Sequence, residues 1–208
     1  MKQLIITNIQ TNIKTVYDGK NEKKIRLKDN GDFRSNECIE TLIKSDIVIT
    51  NPPFSLFREF MNTLLEYSKD FIVIGNFTGV TYKNILPNFL NNKIYFGKSK
   101  RGMSFVVPDS NNLKSVNAVW FTTFYTERKL LTLTKVYNPN DFEKYDNTDI
   151  INIDNIKDIP INYYGLMGVP ITFLEKYDAN KFEVVNLARN LKINGVIKYY
   201  RIIIKRKV

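Results

Sequence analysis

The sequence predicts an α/β fold with a parallel sheet at its centre, and two apolar runs separated by a helical pattern carry this prediction. In DIVIT, residues 46–50, every residue after the first is apolar or β-branched, and such an unbroken run is typical of a strand covered on both faces. A second run, FIVIGN, occupies residues 71–76. Strand, helix and strand in this order indicate a βαβ unit with a right-handed crossover.

The helix of this unit is predicted directly after the four residues NPPF, at 51–54. Apolar side chains in SLFREFMNTLLEYSK, residues 55–69, recur at a helical spacing of about 3.6 residues, with charged side chains off the stripe. The stripe consists of Leu56, Phe57, Phe60, Met61, Leu64 and Leu65. The pattern predicts a helix that packs one face against the sheet.

Shorter elements are predicted before the βαβ unit. Residues 3–7, QLIIT, read as a strand, and the polar stretch 12–30 contains a hairpin pattern. Ser35 or Asn36 is a suitable N-cap for a helix that runs to about Lys44. These elements extend the α/β pattern toward the N-terminus.

Beyond residue 76 the pattern changes to a second helix, short β-rich segments and a polar excursion. The helix is expected over 81–92 and is interrupted by Pro87. Residues 138–160 are polar and acidic and predict an extended excursion. Apolar strand patterns occupy KIYFG at 93–97, MSFVVP at 103–108, NAVWFTTFY at 117–125, FEVVNLA at 182–188 and the basic tail KYYRIIIKRKV at 198–208.

The charge and the missing residue types restrict the chemistry. The chain of 208 residues has a net charge of +10, which favours a polyanionic partner such as nucleic acid. It has no histidine and a single cysteine, Cys38, which excludes an internal disulfide, a Cys-rich zinc site and a Ser–His–Asp triad. We therefore expect no metal, and an enzyme of this composition must use carboxylates, amides, backbone groups or an organic cofactor.

The N-terminus and the apolar runs also bear on where the protein resides. MKQLIITNIQTN is too short and too polar for a signal peptide, and no apolar run reaches the length of a membrane span. We expect a cytoplasmic protein without a membrane partner.

The NPPF stretch stands where ligands bind in open α/β sheets, beyond the carboxyl end of a strand. Two prolines stiffen the loop, the Asn51 side-chain oxygen and the Pro52 carbonyl are two acceptors, and Phe54 is a flat apolar ring. Together they suit a planar group with an exocyclic amine, which the two acceptors hold and the ring stacks on. Methylation of that amine with S-adenosylmethionine needs neither histidine nor metal.

Other interpretations of the four residues remain open at this point. Asn51, Pro52, Pro53 and Phe54 also fit a rigid turn between a strand and a helix. NPPF and NPPY loops occur as well in enzymes that methylate guanine in ribosomal RNA or glutamine side chains in protein release factors. A protein that binds DNA without methylating it is the non-enzymatic alternative.

Longer segments show a resemblance to a known family. GDFRSNECIETLIKSDIVITNPPFSLFREFM, FIVIGN and KYDNTDIINIDNIKDIPINYYGLMGVPITFLEKYDANKFEVVNLA resemble the EcoRI-type adenine-specific DNA methyltransferases, in the same order and over about residues 3–208. The resemblance implies an S-adenosylmethionine-dependent enzyme that methylates adenine N6 in double-stranded DNA and flips the target base into the NPPF pocket. It implies a restriction–modification role and a Rossmann-like methyltransferase sheet.

The resemblance also assigns residues. It implies that Asn51, Pro52, Pro53 and Phe54 form the pocket of the target adenine. It places Asp32 and Phe33 of GDFRS near the adenine of the cofactor. A catalytic core over 1–137 and a C-terminal extension over 138–208 that packs on it are the domains expected on this basis.

One departure from the family pattern concerns the N-terminus. Family members carry a further segment with the first strand of the sheet and the loop under the methionine part of the cofactor, whereas MKQLIIT resembles the second strand. We therefore expect a sheet that lacks the usual first strand, and a partner that is either a complementary N-terminal fragment or a second copy in a homodimer. A catalytically incomplete half that only binds DNA is the alternative.

Several cations are candidates for contacts with DNA phosphates. Arg34 belongs to GDFRS, and Lys98, Lys100 and Arg101 belong to the basic loop KSKRG. Further candidates lie in the C-terminal tail, where they are Lys198, Arg201, Lys205, Arg206 and Lys207. The ring-rich segment VWFTTFY, which contains Phe121, Phe124 and Tyr125, is expected to lie in the core.

Overall fold

The computed structural model describes residues 4–8, 13–29, 31–99, 101–106 and 112–208, with side chains from residue 13 onward. The strands are β1 (Leu4–Asn8), β2 (Ile13–Tyr17), β3 (Glu22–Arg26), β4 (Ile47–Thr50), β5 (Asp70–Asn76), β6 (Tyr95–Phe96), β7 (Met103–Val106), β8 (Leu113–Val116), β9 (Ala118–Thr122), β10 (Ile151–Asn152), β11 (Met167–Pro170), β12 (Phe182–Ala188), β13 (Lys192–Ile193), β14 (Val196–Ile197) and β15 (Arg201–Arg206). The helices are α1 (Asn36–Lys44), α2 (Phe57–Glu66) and α3 (Leu86–Leu90). The fold is α/β with mixed sheets, as the sequence predicts at this level.

The chain forms two compact units. The first comprises residues 1–79 and 99–124, and the second comprises residues 80–98 and 125–208. The units do not follow the boundary expected between 137 and 138. The assignment of a catalytic core and an extension is a statement about function, and it stays a prediction.

An antiparallel sheet of order β1–β2–β3 opens the first unit. Its second hairpin turns at Asp18, whose carboxylate accepts backbone N–H bonds from Lys20 at 2.9 Å and Asn21 at 2.8 Å. Gly19 lies in this turn at a φ of +99°, which an L side chain rarely adopts. The predicted strand and hairpin are confirmed.

Helix α1 begins and ends at side-chain contacts. The Ser35 hydroxyl caps it by accepting a hydrogen bond from the Cys38 backbone N–H at 3.3 Å. At the other end the Lys69 ammonium donates to the carbonyls of Ile43 and Ser45, at 2.8 and 2.9 Å. This cation satisfies carbonyls that a helix C-terminus leaves without partners, and it ties α1 to the chain just before β5. The predicted helix is confirmed.

The strands β4, β5 and β9 form the central sheet of the first unit. β4 pairs with β5 in parallel and β9 pairs with β5 antiparallel. Helix α2 packs against the sheet through Phe57, whose ring lies against Gly75 of β5 and 5.1 Å from the ring of Phe121 in β9. A side chain at Gly75 would occupy the space of the Phe57 ring, so glycine permits this close approach. The predicted βαβ unit is confirmed.

The prediction that β4 is covered on both faces is wrong. Val48 and Thr50 are half-buried, while the side chains on the opposite face, Ile47 and Ile49, are 48% and 66% exposed. Val48 and Thr50 lie opposite Phe71 and Val73, on the face that also carries Gly75 and that α2 covers. Among the described residues nothing comparable covers the other face of β4.

The second unit contains a sheet of order β10–β11–β15–β12. Its third strand comes from the C-terminal tail, and four successive residues of that strand, Arg201 to Ile204, are buried. The tail is therefore an interior strand, and Arg201 is a buried residue rather than a surface contact for phosphate. Its guanidinium donates to the Tyr145 hydroxyl at 3.1 Å and to Asp154 at 2.5 Å.

Two further local expectations are corrected. The helix expected over 81–92 is limited to α3, in which Pro87 is the second residue, so the proline stands in the first turn instead of interrupting the helix. Phe121 is buried as expected, but Phe124 and Tyr125 are 40% and 76% exposed. β9 ends at Thr122, and the two rings follow it in an irregular stretch.

Candidate active site

The NPPF stretch forms a rigid corner between β4 and α2. Asn51 follows the last residue of β4, Pro52 is buried and Pro53 is exposed. A short 3₁₀ turn begins at Phe54, and the Pro53 carbonyl accepts a hydrogen bond from the Leu56 N–H at 3.0 Å. The chain therefore passes from strand to helix within a few residues, with two fixed φ angles at the corner.

Two polar groups at this corner are available to a ligand. The Asn51 residue is exposed. Within the part of the chain that the structure describes, its side-chain amide has no hydrogen-bond partner, and the carbonyl of Pro52 accepts none. The half-buried ring of Phe54 lies two residues further on. The corner thus presents two acceptors, an amide donor and an aromatic ring.

The GDFRS loop, residues 31–35, is held by an ion pair. The Asp32 carboxylate accepts from the Arg34 guanidinium at 2.9 Å on Oδ1 and at 2.6 Å on Oδ2, and Oδ1 also accepts the Arg34 backbone N–H at 2.9 Å. The Ser35 N–H donates to the Asp32 carbonyl at 3.0 Å, directly before α1. The loop is a closed turn with a fixed carboxylate.

The same loop contacts the first turns of α2, the helix that follows NPPF. Arg34 Nη1 lies 3.4 Å from the carboxylate of Glu59, and the Phe33 ring meets the Phe60 ring edge-on, with 5.1 Å between centroids. From the sequence, the two segments are predicted as separate parts of a site, and the structure links them through one helix in one compact unit. Glu59 and Phe60 were not predicted as contacts of the GDFRS loop. The helical pattern shows only that Phe60 lies on the apolar stripe of α2 and that Glu59 lies off it.

The ion pair sets the charge of the loop. Hydrogen bonds from the Arg34 side chain and backbone lower the pKa of the Asp32 carboxyl to about 2, well below its usual range. The same hydrogen bond, together with the charges of Asp32 and Glu59, raises the pKa of Arg34. Asp32 is therefore an anion over the whole physiological range.

A second asparagine ends the neighbouring strand. Asn76 is the last residue of β5, which runs parallel to β4, so both asparagines stand at the carboxyl edge of the sheet. The Asn76 side-chain oxygen accepts from the Thr78 N–H at 3.0 Å and from the Thr78 hydroxyl at 2.8 Å. This oxygen caps the turn after β5, whereas the Asn51 oxygen has no such local role.

The predicted DNA contacts have different surroundings. Arg34 is engaged with Asp32 and Glu59, and Arg101 is exposed with its guanidinium 4.9 Å from the centroid of the Phe77 ring. Lys98 is exposed and belongs to the second compact unit. Lys100 lies outside the described residues.

The described ranges contain neither a metal-binding cluster nor a membrane-spanning helix. No group of three or more Asp, Glu, Cys or His side chains there is arranged to hold a metal ion. No helix there has the length and apolar character to cross a membrane.

Comparison with known proteins gives three close relatives. The first, "Type II methyltransferase M.EcoRI" from Escherichia coli, is 41% identical over 92% of this chain and 69% of its own length. "Type II methyltransferase M.MgeORF184P" from Mycoplasma genitalium is 35% identical over 100% of this chain and 80% of its own. "Type II methyltransferase M.MpnI" from Mycoplasma pneumoniae is 32% identical over 92% of this chain and 73% of its own length. No solved structure matches the chain significantly.

A family model extends the agreement with these relatives across most of the sequence. The model described as "Adenine-specific methyltransferase EcoRI" matches residues 1–196, which include both the GDFRS loop and the NPPF corner. The chain therefore belongs to the EcoRI family of adenine-specific methyltransferases.

Proposed function

We propose that the protein methylates the N6 amine of adenine in double-stranded DNA, with S-adenosylmethionine as the methyl donor and the NPPF corner as the adenine pocket. The observation that carries the proposal is the Asn51 side chain. It is exposed at the carboxyl end of a parallel strand, and no described residue uses its oxygen. Family membership supplies the reaction class, and the corner supplies a place for it.

Asn51 and Pro52 would hold the amine that reacts. The Asn51 oxygen and the Pro52 carbonyl each accept one of the two amine hydrogens, which draws the nitrogen toward tetrahedral geometry and frees its lone pair. The nitrogen would take up the methyl group as the methyl–sulfur bond of the donor breaks and leaves a neutral thioether, and it would then release one proton to solvent, so no general base of unusual pKa is needed. Stabilising the charge that develops on nitrogen is the contribution of the two acceptors.

Phe54 and the prolines would position the base. The half-buried ring of Phe54 offers a face on which a flipped adenine stacks. Pro52 and Pro53 fix two φ angles, so the acceptors keep their positions without an ordering cost when the base enters.

The GDFRS loop fits the adenine end of the cofactor. When bound, S-adenosylmethionine supplies an electrophilic methyl group on its sulfonium. Asp32 Oδ2 accepts one hydrogen bond, from Arg34, and has room for a second donor such as an exocyclic amine. Phe33 is half-buried and adds an apolar surface beside that carboxylate. The residue types therefore fit the group that the resemblance assigns to them.

Duplex DNA is the substrate that the charge and the relatives favour. The chain carries a net charge of +10, and the three relatives are named Type II methyltransferases. The positive charge favours a polyanionic substrate. The names of the relatives favour the reaction of Type II modification enzymes, which is the methylation of DNA. RNA and protein amines are the alternatives that the same corner could accept.

The test is methyl transfer to unmethylated duplex DNA, followed by identification of the methylated base by mass spectrometry. We expect N6-methyladenine, and little or no product on ribosomal RNA or on a release factor. Asn51→Ala should lower kcat by about 100-fold or more, because it removes one acceptor that acts in the transition state.

The matched control is Asn91→Ala, which removes an exposed asparagine side chain in the second unit. It should leave kcat unchanged. An Asn51→Ala variant that methylates as fast as the parent would refute the assigned role, and exclusive methylation of RNA or protein would refute the assigned substrate.

A further inference from the structure

The strands β13 and β14 form a hairpin that is a two-stranded sheet of its own in the second unit. The strands are antiparallel, and the turn between them consists of Asn194 and Gly195, with φ angles of +51° and +78°. Two successive positive φ angles give a turn whose twist matches that of the strands. The Lys198 N–H donates to the Leu191 carbonyl at 2.7 Å and closes the base of the hairpin. We refer to residues 191–198 as the β13–β14 hairpin.

An aspartate from a distant part of the chain holds this hairpin in place. The Asp146 carboxylate accepts the Asn194 N–H on Oδ1 and the Gly195 N–H on Oδ2, both at 2.9 Å. The Asp146 N–H donates to the Lys192 carbonyl, also at 2.9 Å. These three hydrogen bonds fix the turn relative to the rest of the second unit. They also engage both oxygens of Asp146.

The hairpin has one side chain that anchors it and several that are exposed. Ile193 is 6% exposed and packs into the second unit. Lys192 and its cross-strand partner Ile197 lie on the opposite face and are exposed, and Val196 beside the turn is 66% exposed. Asn194 is exposed at the tip, and within the described residues its side-chain amide has no hydrogen-bond partner. The exposed part therefore offers a cation, apolar contacts and a free amide.

The hairpin also lies in the most basic part of the sequence. No acidic residue follows Glu183, and seven cations do. They are Arg189, Lys192, Lys198, Arg201, Lys205, Arg206 and Lys207. Two of them, Lys192 and Lys198, belong to the hairpin, and no acid within it offsets their charge. Such a surface is complementary to a polyanion.

We propose that the β13–β14 hairpin enters the major groove of duplex DNA, where Lys192 and Lys198 contact phosphates and Asn194 and Ile197 contact base edges. The inference rests on the proposed function, because it takes duplex DNA as the substrate. The major groove admits a two-stranded β ribbon. An asparagine amide can pair with a base edge there, and an apolar side chain can contact a thymine methyl group. The hairpin is thus a specificity-determining element.

A second copy of the chain fits the hairpin less well. Contact between two such hairpins would bring together Lys192 and Lys198 of both copies, and like charges across an interface repel. It would also bury the Asn194 amide, which costs free energy unless the amide finds a partner. Phosphates and base edges supply both the opposite charge and the hydrogen-bonding groups.

Binding to fluorescent duplexes of mixed sequence, measured by anisotropy over a range of salt concentrations, tests the phosphate contacts. Lys192→Ala combined with Lys198→Ala should weaken binding about tenfold and make the slope of log K against log salt shallower by about 2. Lys129→Ala combined with Lys157→Ala is the matched control, since both are exposed cations of the second unit. It removes the same charge and should leave the slope as in the parent. Circular dichroism would verify that each variant is folded.

Selection from a library of duplexes with randomised positions tests the base contacts. Asn194→Gly removes the amide while glycine keeps the positive φ of the turn. The sequences that this variant enriches should lose their preference at one or more positions, by about tenfold in relative affinity. Asn190→Gly is the matched control, because Asn190 is also exposed, has a φ of +66° and lies just outside the hairpin. It should enrich the same sequences as the parent.

Both readouts are independent of methyl transfer, which separates the two proposals. Hairpin-dependent binding without methylation would refute the proposed function and support this inference. Methylation of DNA by the parent, with salt slopes and enriched sequences unchanged in the hairpin variants, would overturn this inference alone. A dimer of the chain that Ile197→Lys dissociates, detected by light scattering, would assign the hairpin to self-association and overturn it as well.

Discussion

The Arg34 guanidinium holds both carboxylate oxygens of Asp32, at 2.9 Å to Oδ1 and 2.6 Å to Oδ2. From the sequence, the two residues are expected to bind different ligands, the cofactor for Asp32 and DNA for Arg34. Their pairing makes Arg34 a positioning residue for the Asp32 carboxylate. The Arg34 guanidinium is itself held by the carboxylate of Glu59 in α2, which lies 3.4 Å from Arg34 Nη1. Any change at Arg34 should therefore act first on Asp32.

Replacing Arg34 should restore an ordinary titration of Asp32. In the parent protein the Asp32 pKa is about 2, and in Arg34→Ala it should rise toward about 3.9, because the first and largest cause of the shift is lost. Arg34→Lys keeps the charge but not the two-oxygen contact, so the value should fall between the two. Carbon-detected NMR of the carboxyl groups measures all three.

The direction of the shift fixes its pH window. Because the folded-state pKa is lowered, the ion pair contributes stability above the unfolded value of about 3.9, and this contribution is lost as pH falls through about 2. Asp149 serves as an internal control, since its lowered pKa depends first on Lys144 and should not respond to Arg34. An ordinary Asp32 pKa in the parent protein would contradict the prediction.

Gly75→Ala should destabilise the first unit by about 1–3 kcal/mol, because the added methyl group would overlap the buried ring of Phe57. The expected result is a lower urea midpoint with an unchanged slope.

A double variant tests whether Phe57 is the cause. Phe57→Leu removes the two ring atoms that would overlap most, Cε2 and Cζ, so adding Gly75→Ala to it should cost less than adding the same change to the parent. Equal costs in the two backgrounds would show that the alanine acts elsewhere.

The predictable part of the fold depends on local patterns. The helix capped at Ser35 or Asn36, the hairpin within 12–30 and the stripe of α2 are each specified by residues close together in sequence, and all three are confirmed, with Ser35 as the N-cap. The corner at Asn51 is predictable for the same reason, since two prolines between a strand and a helix leave the chain few paths.

The features of the fold and the site that could not be predicted depend on contacts between residues far apart in sequence. A continuous apolar run shows that β4 can be buried, but whether both faces are covered depends on what else packs there, and Ile49 is exposed. Arg201 stands in a basic tail, and only the sheet order shows that it is buried beside Tyr145. The contact between Arg34 and Glu59 joins residues that are far apart in sequence, so no local pattern contains it.

Tyr145→Phe should destabilise the second unit by about 1–3 kcal/mol. The Tyr145 hydroxyl donates to the buried Asn152 side-chain oxygen at 2.6 Å and accepts from Arg201 at 3.1 Å, so its removal leaves buried polar atoms without a partner. Chemical denaturation measures the loss. Tyr199→Phe is the control, because Tyr199 is 90% exposed and should be neutral. Equal stability of the two variants would refute the buried network.

Arg101→Ala should weaken DNA binding to a similar extent on all sequences. Arg101 is an exposed residue, and its guanidinium lies 4.9 Å from the centroid of the Phe77 ring, which limits its motion at a place where it can reach a phosphate. The slope of log K against log salt should become shallower by about 1, since one fewer counterion is released. Lys157→Ala removes an exposed cation of the second unit and controls for net charge alone. If both variants change the slope equally, Arg101 contributes only its charge to the general field, and its assignment as a phosphate contact fails.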